Sequence, residues 1–454
     1  MPFIATNPAT EEVIAQYPSH TPLEVDVALA RAASAYSEWR DVPVGDRAVL
    51  MNRAAELLEG EIPVIAEMMT SEMGKTFGAA KGEAAKCAMT MRYYAEHAEQ
   101  MLATESIATN GSRSGVRYEP LGPVFAIMPW NFPLWQIIRC AAPMVMSGNV
   151  TILKHAPNVP GCAKYIENLF LRAGFANGIF TNLFVEIDQI EGIIADSRVA
   201  GVTLTGSEQA GRSVAALAGK HLKKCVLELG GSDPFIVASS ADMDRTVGMA
   251  VTARIQNNGQ ACIAAKRYIV VRDRADEFTE KFVDAMSAVP TGDPMDPSTV
   301  LGPLVSKSQL DLLEAQVASS VAKGAVVRTG GAPLAGPGYF YPATVLTNVP
   351  ADSRAGCEEL FGPVAVVHVV GDLDEAIAFA NDTPWGLGGS IWATDQGEID
   401  AAIARLDVGM VFANALVVSM PELPFGGTKN SGIGRELSLS GVREFTNAKT
   451  FYVA

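Results

Sequence analysis

The chain has 454 residues, 48% hydrophobic and 19% charged, with 41 glycines and 26 prolines spread along it. This profile excludes a disordered chain, a collagen and a coiled coil, and the length suggests roughly three lobes. Thirty-five Lys and Arg against 50 Asp and Glu give a net charge of −15, which argues against nucleic acid as a partner.

Residues 24–104 read as a helical block, with apolar side chains at helical spacing and Gly60 and Gly74 placed as C-terminal caps. Residues 116–120 alternate like an exposed strand. From residue 122 apolar runs at 124–127, 150–153, 178–184, 201–204 and 225–227 alternate with amphipathic stretches. That alternation predicts βαβ units and a parallel sheet covered by helices. A second set at 235–237, 268–271, 325–329, 364–370 and 390–392 predicts a second α/β lobe. The last strand-like run, 450–453, could pair with another chain. No basic, apolar leader opens the sequence, and no run of about 18 apolar residues suggests a membrane span. The six cysteines (Cys87, Cys140, Cys162, Cys225, Cys262, Cys357) show no CxxC pair and no zinc-type spacing. A reduced, cytoplasmic protein without a metal is expected.

Four segments could carry chemistry. In Asn257-Asn258-Gly259-Gln260-Ala261-Cys262 a thiol follows a polar turn, where backbone N–H groups could lower its pKa. A buried, inert cysteine is the plainer reading. In Leu227-Glu228-Leu229-Gly230-Gly231 a carboxylate flanked by leucines should have a raised pKa, as a general base needs, unless it sits on an exposed edge. The two prolines of Met128-Pro129-Trp130-Asn131-Phe132-Pro133 stiffen a loop that could aim the Asn131 amide at an oxyanion, or let it cap the next helix. Thr205-Gly206-Ser207, between a strand and a helix, is either a phosphate-binding turn or an ordinary connection.

With MPWNFP, LKHAPN, LTGS, LELGGSDPFIV, NNGQACIAAKR, EELFGPV and PFGGTKNSGIGRE in this order, the whole chain resembles the aldehyde dehydrogenase superfamily. The resemblance implies an α/β fold with a Rossmann-like cofactor domain (1–107 and 122–228), a catalytic domain (229–429) and a small β oligomerisation element (108–121 and 430–454). A homodimer or homotetramer is expected. It further implies Cys262 as nucleophile, Glu228 as base, and an oxyanion hole formed by the Asn131 side chain with the Cys262 N–H. Trp130, Lys154, Gly206, Ser207, Leu229, Glu359 and Phe361 would surround a nicotinamide dinucleotide. Pro157 stands where many NAD-preferring members carry Glu, so NADP is expected, with NAD also usable and Lys154 and His155 supplying positive charge. Ala264 replaces a second cysteine found in some members, which removes an adjacent-disulfide switch.

The expected substrate is a short aldehyde with a terminal carboxylate, succinic semialdehyde first. Arg139, about two helical turns beyond Asn131 in an apolar stretch, would bind that carboxylate, or else a structural acid elsewhere. Ser419 matches a family position that adds a hydroxyl donor. Glu228 argues against a CoA-acylating enzyme, which needs no hydrolytic base. Another aldehyde, or a non-catalytic structural member of the family, remains the alternative.

Overall fold

Thr21 opens the first helix, Pro22–Trp39, through a capping box. Its side chain accepts from the Glu24 N–H, and the Glu24 carboxylate accepts from the Thr21 N–H. The computed structural model describes residues 3–454. Three more helices follow, Val44–Gly60, Ile62–Met73 and Phe77–Met101. Gly74 caps the third with φ 82°, as expected. Gly60 instead ends its helix without a left-handed turn, and Glu61 follows as cap.

Lys75 and Glu83 form a buried ion pair at the foot of the fourth helix. The Glu83 carboxylate also accepts from the N–H groups of Leu134 and Trp135, at 2.8 and 2.9 Å, where the helix Trp135–Met146 begins. An acid at a helix N-terminus meets unpaired donors and the positive end of the dipole. Lys75 further lies over the Phe132 ring at 4.3 Å, so the pair anchors the Pro-rich loop that carries Asn131.

One six-stranded sheet runs, in spatial order, Gly432–Ile433, Lys224–Glu228, Gly201–Thr205, Pro123–Ile127, Val150–Lys154 and Phe180–Asn182. All pairs are parallel except the first. The chain reverses its direction of winding beside Pro123–Ile127, whose neighbours, Val150–Lys154 and Gly201–Thr205, come second and fourth in chain order within this sheet. Such a switch point leaves a crevice at the carboxyl ends of the strands.

A second, seven-stranded sheet orders Val326–Thr329, Thr344–Thr347, Val364–Val370, Arg267–Val271, Pro234–Val237, Gly388–Trp392 and Met410–Ala413. Only its Val326–Thr329 edge is antiparallel. A third sheet pairs Thr446–Val453 with Arg113–Pro120 across eight residues and adds Glu105–Ser106. The boundary expected at residue 430 therefore moves. Gly432–Ile433 belongs to the six-stranded sheet, because its backbone pairs with Leu227 and Glu228. No helix among the described residues is long and apolar enough to cross a membrane.

Lys75→Met leaves the Glu83 carboxylate buried without its cation. Breaking one side of such a pair costs about 3–5 kcal/mol. The thermal unfolding midpoint should fall by about 3–5 °C. A midpoint unchanged within measurement error would contradict this.

Candidate active site

The crevice is walled by the loops that leave Pro123–Ile127, Gly201–Thr205 and Lys224–Glu228. His155 stiffens the first loop, with its ring nitrogens 3.2 Å from the Met128 carbonyl and 3.0 Å from that of Pro133. Burial pushes its pKa down to about 4. Burial thus disfavours the positive charge expected of His155, which as a neutral ring donates to one of the two carbonyls. Ser207 caps the helix Glu208–Lys220 by accepting from the Ala210 N–H. Glu228 ends its strand, and its backbone carbonyl accepts from the Gly206 N–H at 3.0 Å.

The opposite wall comes from the other lobe, in the turn before Arg267–Val271. Asn257 and Asn258 adopt φ of 53° and 58°, and Gly259 follows at 74°. The Asn side chains tolerate this conformation and use it to hydrogen-bond locally. Asn258 donates to the carbonyls of Gly74 and Pro303, at 2.8 and 2.9 Å. Gly259 is required on two counts. A Cβ there would lie 2.3 Å from the Gly362 carbonyl carbon, besides facing the positive φ.

Two hydrogen bonds join the walls. The Asn257 amide donates to the Asn131 carbonyl at 2.7 Å, and the Asn131 amide donates to the Gln260 carbonyl at 3.0 Å. Asn131 is therefore aimed across the crevice at the cysteine turn and does not cap the following helix. Among the described residues, the Cys262 N–H has no acceptor. The pair could together receive a developing oxyanion.

The thiol is not acidic at rest. Burial pushes its pKa up to about 11, against the pull of Arg139 and Lys266, and no regular helix N-terminus points at it. Lys266 donates to the Cys262 carbonyl at 2.7 Å and pairs with Glu359 at 3.1 Å. Glu228 is buried with neither carboxyl oxygen hydrogen-bonded. Desolvation and then Glu436 raise its pKa well above the usual carboxylate range, while Arg139 and Arg435 lower it. It is an interior carboxyl, not an edge residue.

Two cavities meet at Cys262. The first, of about 260 Å³, is lined by Trp130, Asn131, Gly206, Ser207, Glu228, Leu229, Glu359 and Phe361 together with Cys262. Trp130 and Phe361 stand edge to face with centroids 5.7 Å apart. Such an aromatic and polar lining suits a flat heteroaromatic ring carrying a sugar. Lys154 and Pro157 lie outside this lining, at and beyond the end of the adjacent strand Val150–Lys154. Burial lowers the Lys154 pKa, and no acid among the described residues pairs with it.

The second cavity, of about 160 Å³, is lined by Cys262, Arg139, Ser419, Trp135, Phe425 and, unanticipated from sequence, Lys86. Arg139 does not offer a free charge to it. Its guanidinium is ion-paired with the buried Glu436, donates to Thr205 Oγ1 at 3.2 Å and lies over the Phe425 ring at 4.5 Å. Of the two partners expected for Arg139, the structure shows the structural acid: Glu436 supplies an anion to Arg139, which also lines the cavity. No local signal marked Glu436 as that partner, since only the fold brings the two together.

The raised thiol pKa has a direct consequence. The thiolate fraction of Cys262 should grow about tenfold per pH unit below its pKa. Alkylation of Cys262 by iodoacetamide should accelerate accordingly between pH 7 and 9, followed by peptide mapping to separate it from the exposed Cys357. A rate flat across that range would contradict the buried, protonated thiol.

The Aldehyde dehydrogenase family model matches residues 2–451. Among curated relatives, the NADP(+) succinate-semialdehyde dehydrogenase of Mycobacterium avium (strain 104) is 51% identical over 457 residues, covering the whole chain and 97% of the relative. The solved structure of Gox0499 superposes with a TM-score of 0.99 at 41% identity over all of both chains. The succinic semialdehyde dehydrogenase of Streptococcus pyogenes, solved with NADP+, gives a TM-score of 0.97 at 38% identity over 99% of both chains. This chain belongs to the aldehyde dehydrogenase family.

Proposed function

We propose that the protein oxidises succinic semialdehyde to succinate with NADP+ as hydride acceptor. One observation carries the reading: Cys262 lies where two cavities meet, one bordered by Asn131, Glu228 and the aromatic pair, the other by Ser419 and Lys86. A nucleophile in that position can meet a dinucleotide from one side and an aldehyde from the other. The names of the relatives supply the substrate.

Cys262 Sγ, once deprotonated, adds to the aldehyde carbon, and the carbonyl oxygen becomes an alkoxide. The Asn131 amide and the Cys262 N–H stabilise that charge. A nicotinamide held in the larger cavity would supply the acceptor for the hydride lost from the same carbon. The remaining acyl group is a thioester on Cys262. Glu228 takes a proton from water, the hydroxide displaces the thiolate, and the carboxylic acid departs. A carboxyl whose pKa is raised by burial is a stronger base toward water than an exposed one. Trp130, Leu229 and Phe361 would border the ring, Glu359 would bind its ribose, and Gly206 and Ser207 would lie against the pyrophosphate.

Lys154 would face the adenosine end with an ammonium lacking a carboxylate, and Pro157 is exposed without charge. A 2′-phosphate is therefore attracted there and not repelled. The three-stranded sheet, with exposed Tyr452 and Val453, is the proposed contact between copies in a dimer or tetramer.

A panel of aldehydes run with both cofactors tests the reading. Succinic semialdehyde with NADP+ should give the highest kcat/KM. Pro157→Glu places a carboxylate beside the 2′-phosphate, at a cost on the order of 1 kcal/mol or more. It should weaken NADP+ about tenfold relative to NAD+. A wild type at least tenfold better with NAD+ would contradict the cofactor assignment.

A further inference from the structure

Resting on the reading above, we propose that Lys86 holds the terminal carboxylate of the substrate, with the Ser419 hydroxyl as its partner. Lys86 projects from the helix Phe77–Met101 into the smaller cavity, which Cys262 also lines. Its Nζ donates to Ser419 Oγ at 2.7 Å and lies 3.9 Å from the centroid of the Trp135 ring. Ser419 thus accepts from Lys86, and its own O–H is left to donate to a third group. The aromatic face steadies the ammonium without neutralising it.

The charge accounting around the cavity points the same way. Glu83, one turn earlier on the same helix, is already taken by Lys75 and by the N–H groups of Leu134 and Trp135. Arg139 is taken by Glu436. Among the described residues Lys86 pairs with no carboxylate, and its burial pushes the pKa down to about 8. A partly desolvated cation without a counterion is unfavourable until an anion arrives. The cavity, about 160 Å³, is smaller than the pockets that take drug-sized ligands and suits a short chain. An aldehyde bound at Cys262 with a carboxylate at its other end would supply the missing anion. An aldehyde ending in a methyl group would leave Lys86 as it is.

The test compares succinic semialdehyde with butanal in wild type, Lys86→Met, Lys86→Arg and Arg139→Leu. In Lys86→Met the ratio of kcat/KM for succinic semialdehyde over butanal should fall by a factor of about 10 to 100, carried by KM more than kcat. Lys86→Arg should recover most of that ratio, because the charge is restored. Arg139→Leu should lower both aldehydes together. Lys86→Gln replaces the methionine variant where the latter does not fold. The inference is overturned if the Lys86 variants keep the wild-type ratio, or lose both aldehydes equally. A wild type with no preference for the carboxylated aldehyde would overturn the functional reading itself, a result distinct from either.

Discussion

The crossed hydrogen bonds between Asn131 and the cysteine turn hold the rest of the site in place. Asn131 sits on a loop of the six-stranded sheet, and Asn257 and Gln260 sit on a turn feeding the seven-stranded one. Each lobe gives a donor to a carbonyl of the other, at 2.7 and 3.0 Å, and both bonds are buried. Buried bonds of this kind are expensive to leave unmade, so the lobes are held in one register at this point. The left-handed Asn257-Asn258-Gly259 turn exists to bring those partners together, and the close approach of Gly259 to Gly362 leaves no room for a side chain. Cys262 is carried to the junction of the two cavities as a consequence.

The buried and half-buried cations fall into three kinds. Lys75 with Glu83, Arg139 with Glu436 and Lys266 with Glu359 are paired. Arg47, Arg254 and Arg267 distribute their charge over backbone carbonyls. Lys86, which lines the smaller cavity, and Lys154, at the end of the strand Val150–Lys154, have no carboxylate. The first two kinds fix structure. The third leaves positive potential where two anionic ligands would bind, in a chain whose net charge of −15 otherwise repels them.

Much of this was legible in the residues, and what was not has physical reasons. Long apolar runs such as Val364–Val370 declare themselves as strands. Thr344–Thr347, Met410–Ala413 and the hairpin of Phe3–Thr6 with Val13–Tyr17 are too short, or too mixed, to do so. The NNGQAC and LELGG segments marked the cysteine turn and the buried carboxyl. The direction of the thiol pKa was not visible, because it depends on how completely the lobes enclose Cys262. Arg139 was recognised as a buried cation in need of an anion, but the anion is a glutamate far along the chain. Lys86 was missed for the same reason. On its helix it is one more lysine, and the Ser419 that defines its surroundings is 333 residues away.

The central claim is that Cys262 takes the aldehyde covalently and that Glu228 releases the acid. Glu228→Gln, mixed with succinic semialdehyde and NADP+ and quenched in acid, tests it most directly by intact and peptide mass spectrometry. The account predicts a succinyl increment on the peptide containing Cys262, formed with stoichiometric reduced cofactor. Reduced cofactor without an adduct, or an adduct on another cysteine, would contradict it.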